Sequence, residues 1–104
     1  MTSFTAHNIC FPDGSLTIPE HPHVLADVSH CQGVKRVLSI VYGENCEGKR
    51  VVDLGCLEGG SALEFARMGL DSFGIEVRTL SFENCQEVKR RAGLPNLDFA
   101  QDDV

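Results

Sequence analysis

The chain has 104 residues, a formal net charge of -6 at neutral pH and a hydrophobic fraction of 42%. That length bounds it to one small domain with a modest core. Its acidity gives no attraction to nucleic acid or to an anionic membrane, and no apolar run approaches the roughly 20 residues that cross a bilayer. The five cysteines, Cys10, Cys31, Cys46, Cys56 and Cys85, include no C-x-x-C pair, which argues for reduced thiols packed as small apolar groups. With no secretory pattern in the polar first ten residues, a cytoplasmic location is expected.

Residues 1–30 read as an irregular N-terminal arm. Within it Phe11-Pro12-Asp13-Gly14 spells a turn, because proline presets one dihedral and glycine supplies a positive one. Short apolar pieces flank it, Ile9 to Phe11 and Leu16 to Ile18, so a small hairpin or covering arm is expected. Pro19 and Pro22 forbid a helix there. His7, His21, His23 and His30 crowd this region, but their spacing matches no zinc pattern, and no metal is expected.

Residues 31–104 read as one nucleotide-binding unit. Cys31 to Tyr42 is predicted as a helix with Val34, Val37, Leu38 and Val41 on one apolar packing face, stopped by Gly43. Val51, Val52 and Leu54 form a short buried strand interrupted by Asp53. Gly55, Gly59 and Gly60 then make a turn into a second helix carrying Ala62, Leu63, Phe65 and Ala66. Such a turn is expected to present bare backbone N–H groups to a ligand. Leu70 to Val77 is a second strand. Thr79 to Ala92 is a third helix, with Thr79 or Ser81 as cap, Phe82, Cys85 and Val88 inward, and Lys89, Arg90 and Arg91 in its last turn. Gly93 and Pro95 end it, and Leu97 to Ala100 begins a third strand. Strands alternating with helices of this length predict an α/β fold, a Rossmann-like parallel sheet with flanking helices.

In such a sheet the loops leaving the C-terminal strand ends share one rim, and ligands sit there. Asp53 to Gly60, Glu76 to Arg78, and Asp102-Asp103 all fall on that rim. Glu76, about twenty residues past the glycines, is placed to accept the hydroxyls of a ribose. Asp102 and Asp103, with Asp103 favoured, are candidates for the amino group of an adenine. The dehydrogenase fingerprint G-x-G-x-x-G is broken by Leu57, and no P-loop Lys-Ser/Thr pair follows the glycines. Carboxylates here repel a diphosphate and welcome a cationic ligand.

The segments VVDLGCLEGGSALEFARMG, FGIEVR and LDFAQDDV together resemble motifs I to III of class I S-adenosylmethionine-dependent methyltransferases. Asp53, Gly55 and Gly59 match fixed positions of motif I, D/E-x-G-x-G-x-G, and Leu57 replaces its central glycine. The resemblance covers Lys49 to Val104 well and the lead-in HNICFPDGSLT loosely. It implies that the backbone of Gly55, Cys56, Leu57, Gly59 and Gly60 meets the methionyl part of S-adenosylmethionine and that Asp53 acts near its amino group. It further implies that Glu76 holds the ribose, Val77 packs on adenine, and Asp102 or Asp103, with the Val104 N–H, reads the adenine edge. The family fold has about seven strands, so only its first half, about three strands, is expected here. The chain is therefore expected to be the N-terminal, cofactor-binding part of a methyltransferase with an unspecified methyl acceptor and no assignable catalytic base. Alone it should bind the cofactor weakly or not at all, turn over negligibly, and self-associate through exposed sheet edges or need a missing partner half. The alternative is a non-catalytic methyltransferase-like module acting in protein assembly; a nicotinamide-dependent oxidoreductase half is disfavoured by Asp53 and the broken glycine spacing.

Overall fold

A computed structural model describes residues 3–104; Met1 and Thr2, at the start of the expected arm, lie outside the described residues. Three helices alternate with three strands: α1 (Ser29–Tyr42), β1 (Arg50–Leu54), α2 (Gly60–Arg67), β2 (Asp71–Glu76), α3 (Thr79–Ala92) and β3 (Leu97–Gln101). The strands pair in parallel in the order β1-β2-β3, with Val51 opposite Ser72 and Ser72 opposite Leu97. This is the Rossmann-like arrangement of sheet and flanking helices that the alternation predicts.

Residues facing each other across a parallel ladder share a sheet face. Ser72, Gly74, Glu76, Leu97 and Phe99 are buried on the face that α2 and α3 cover. There Ala62, Leu63 and Ala66 of α2 and Cys85 and Val88 of α3 form the core with Leu97 and Phe99. Gly74 makes this packing possible: a Cβ on it would stand 2.6 Å from Phe99 Cδ1 and 2.8 Å from Cys56 Sγ. The arm completes the core from one end. Its Phe11–Gly14 turn closes a small hairpin, with Cys10 bridged to Leu16 and Thr17 N–H bonded to Ile9 O at 3.1 Å, and it delivers Ile9 and Phe11 into the apolar cluster.

Three sequence expectations are corrected. β1 is not buried: Val52 is 54% and Leu54 63% exposed, because β1 is a sheet edge and no described element covers the second face. The apolar stripe of α1 packs only in part: Val34 and Leu38 are half-buried, whereas Val37 and Val41 are exposed, and Cys31 is the one buried residue of the helix. α1 leans on the short 3-10 turn Leu25–Asp27 and is tied to α2 by Lys35 Nζ, 2.5 Å from Glu64 Oε1. Glu64 is also held by Arg67 at 2.6 Å, so its near-complete burial is compensated. Third, neither Thr79 nor Ser81 caps α3: Arg78 occupies the cap position with no side-chain bond to the helix's own N–H groups, and Thr79 Oγ1 instead accepts from Gln101 Nε2 at 2.9 Å. The C-terminal end follows expectation, with Gly93 left-handed and its N–H on Lys89 O.

Two glycine replacements test this packing by urea denaturation. Gly74→Ala is expected to destabilise by about 1–3 kcal/mol through overpacking. Gly33→Ala, mid-α1 with nothing within 4 Å of the new methyl, is expected to stabilise by about 0.5–1 kcal/mol.

Candidate functional site

The turn between β1 and α2 is built from backbone that only glycine adopts freely. Gly55 and Gly59 have φ of 69° and 86°, and Leu57 has φ 55°, the one positive value among the described non-glycine residues. A Cβ on Gly59 would lie 2.7 Å from Phe99 Cζ, so the turn presses directly onto the core. Leu57 holds a left-handed conformation that costs a non-glycine residue roughly 1–2 kcal/mol. Its neighbours fix it: Leu57 N–H donates to Glu76 Oε1 at 2.9 Å, and Cys85 Sγ donates to Leu57 O at 3.0 Å.

The expectation of bare N–H groups at this turn is met only in part. Gly55 and Cys56 N–H both bond Ile75 O, at 2.8 and 2.9 Å; Gly59 N–H bonds Cys56 O at 3.0 Å. Gly60 N–H, at the start of α2, donates to His7 Nδ1 at 3.0 Å. These four donors are spent inside the protein, whereas the N–H groups of Glu58, Ser61 and Ala62 meet no acceptor among the described residues. Acids stand along the same rim.

The structure brings the sequence-predicted residues to one sheet edge, since β1, β2 and β3 are parallel and end at Leu54, Glu76 and Gln101. Asp53 is half-buried, and among the described residues no hydrogen bond or ion pair reaches its carboxylate. Burial pushes its pKa up. Glu76 is 2% exposed. Burial alone would raise its pKa, but hydrogen bonds from Arg78 and from Leu57 N–H outweigh that and hold it below the usual range. Val77 and Val104 are exposed at the ends of their strands. Asp102 Oδ1 accepts the Asp103 N–H at 2.8 Å, leaving the exposed Asp103 carboxylate outward. Cys56 turns inward: its Sγ lies 3.7 Å from Cys85 Sγ, and contact with Cys56 together with burial drives the Cys85 thiol far up, so it stays protonated. Among the described residues no cluster of His, Cys, Asp and Glu is arranged to hold a metal, and no helix is long and apolar enough to cross a membrane.

Sequence reasoning missed Glu58. Its carboxylate is buried and accepts from Thr5 N–H at 2.9 Å, Ala6 N–H at 2.8 Å, His7 N–H at 2.7 Å and Asn84 Nδ2 at 3.0 Å. These bonds outweigh the effect of burial and hold its pKa below normal. No local pattern announces this, because three of the donors are 51 to 53 residues away. Through Glu58 and His7 the arm is strapped over the glycine turn. Beside the strap lies a cavity of 440 Å³, lined by Ser3, Thr5, Glu58, Arg78, Ser81 and Asn84.

The strap is acid-sensitive. Burial lowers the His7 pKa below its ordinary 6.5, with Glu58 partly offsetting, and protonated Nδ1 cannot accept the Gly60 N–H. Folding thus favours neutral His7, and its contribution is present above pH 6.5 and lost as pH falls below it. The lowered Glu58 adds stability above its ordinary 4.5 that is lost on further acidification. Amide exchange at Thr5, Ala6 and His7 is therefore expected to accelerate from pH 7.5 to 5.5 relative to intrinsic rates. Glu58→Gln should open the same amides at pH 7.5.

No family model matches the chain, and no curated protein matches it. Among solved structures the chain is similar to the crystal structure of the [4+2]-cyclase SpnF, with a TM-score of 0.52 and 24% sequence identity, over 97% of this chain and 35% of that one. The chain thus spans about a third of the length of the solved chain it matches, and at this identity the likeness is one of fold.

Proposed function

We propose that the rim binds S-adenosylmethionine and that the chain is the cofactor-binding part of a methyltransferase. The observation that carries this reading is the polarity of the glycine turn. Gly55, Cys56, Leu57, Gly59 and Gly60 spend their N–H groups internally, whereas Asp53, Glu76, Asp102 and Asp103 stand along the same edge. A phosphate-binding turn points the N–H groups of its glycines at the ligand, and here those of Gly55, Gly59 and Gly60 are taken. A ligand with an ammonium, a sulfonium and a ribose suits acceptors and carboxylates.

The residues present fit that ligand. Asp53 is a half-buried acid with no partner among the described residues, and a nearby ammonium would stabilise its charged form. Glu76 is a buried, ionised carboxylate at the position that meets a ribose. Val77 offers an exposed apolar surface to an adenine face, and Asp103 an acceptor to its amino edge. Leu57 stands where the motif has a glycine and holds the positive φ that a glycine would take there. When bound, the cofactor supplies a methyl group activated by a sulfonium. The contribution of these residues is to orient and to hold charge, which is the main part of catalysis by positioning. No described residue takes the role of general base.

The second reading, a methyltransferase-like module for protein assembly, is favoured by a different observation. Val52 and Leu54 on the open sheet face, and Val37, Ile40 and Val41 on α1, are uncovered beside an unpaired β1 edge. Such an edge invites pairing with another chain or self-association.

Calorimetric titration with S-adenosylhomocysteine separates the two readings. Saturable binding, weakened by about 1–3 kcal/mol in Glu76→Ala through loss of charge-assisted hydrogen bonds, supports the cofactor reading; a folded chain that does not bind removes it. Asp53→Asn supplies an independent sign. Because folding raises the Asp53 pKa, its charge opposes folding at neutral pH. The variant is expected to raise the denaturation midpoint of the free chain while weakening the ligand.

A further inference from the structure

An ionised carboxylate has about four lone-pair positions, two on each oxygen. On Glu76 three are filled. Oε1 takes the Leu57 N–H at 2.9 Å; Oε2 takes the Arg78 N–H at 3.0 Å and the Arg78 Nε–H at 2.9 Å. One position is left, on Oε1. A ribose brings two adjacent hydroxyls and needs two.

The three donors differ in how readily they leave. The two N–H groups are backbone, one locked in the strained turn at Leu57 and one at the cap position of α3. The third is the end of a long side chain. The Arg78 side chain is 65% exposed, against 2% for Glu76, so water can take over its hydrogen bonds, and a pair exposed on that side is held weakly. The 440 Å³ cavity, which Arg78 also lines, gives the displaced guanidinium room. Once it has left, each Glu76 oxygen retains one backbone N–H and has one free position. That is the pattern a cis-diol requires.

We infer that the Arg78 side chain is a displaceable occupant of half of the ribose position on Glu76, so that a full ribose must evict it and a 2′-deoxyribose need not. Arg78 thereby acts on specificity: it opposes ribose binding and blunts the discrimination between ribose and deoxyribose that the bare carboxylate would make. The inference rests on the nucleoside reading of Glu76 proposed above.

The test uses adenosine and 2′-deoxyadenosine, which are neutral, so that the loss of a positive charge at position 78 has no long-range effect on them. Each is titrated by NMR into the natural chain, Arg78→Ala and Arg78→Met, the last keeping the aliphatic stem. Adenosine is expected to bind about two- to fivefold tighter to both variants, the scale of an exposed ion pair. Binding of 2′-deoxyadenosine should not change. Adenosine binding that is unchanged or weaker in the variants, or equal shifts for both nucleosides, overturns the inference alone. If folded natural and variant chains bind neither adenosine nor S-adenosylhomocysteine, the nucleoside reading of Glu76 falls, and this inference falls with it.

Discussion

A carboxylate taken out of water must be surrounded by donors or it destabilises the fold by several kcal/mol. Glu58 meets that requirement by drawing on the arm and on α3 at once. Much of the rest follows from this. The arm residues that bond Glu58 bring His7 to the start of α2 and lead into Ile9 and Phe11, which seal the core. The Asn84 bond holds the first turns of α3 against the glycine turn. Hydrogen bonds to a charged group are worth about 1.5–3 kcal/mol each and reinforce one another. The cluster therefore forms as a unit, and the conformation of the glycine turn is inseparable from the arm that crosses it.

Glu76 works on the same turn from the other side. Its Oε1 holds Leu57 N–H while Ile75 O takes the two preceding N–H groups. The turn is thus pinned to the end of β2 before any ligand arrives. Preorganisation of this kind reduces what binding has to order, but it also consumes the N–H groups of the turn's glycines. The chemistry proposed for the rim is a consequence of that internal pairing as much as of the acids themselves.

The architecture was legible because periodicity and glycine placement are local. Gly43, Gly59 and Gly93 mark element boundaries in the sequence, and all three act as helix caps in the structure. The rim residues Asp53, Glu76, Asp102 and Asp103 follow from parallel topology alone. What could not be read depends on distant partners. The burial of Glu58 needs donors from residues 5 to 7 and 84, and that of Glu64 needs Lys35. The apolar runs at Val51–Leu54 and Val34–Val41 look alike whether or not something covers them, so their exposure was invisible. The pairing of the turn N–H groups was equally hidden, since the register of β2 against β1 sets which carbonyl they meet.

That one-sided sheet has a thermodynamic consequence. Heat capacity change and denaturant sensitivity both scale with the apolar surface that unfolding newly exposes. Val52 and Leu54, and the stripe on α1, are already wet in the folded chain and add little to either quantity. The unfolding of this chain should thus carry a shallow denaturant slope and a flat stability curve for its length. A polypeptide laid over the open face would steepen both, so a rise in those slopes on mixing would register cover on that face without identifying it in advance.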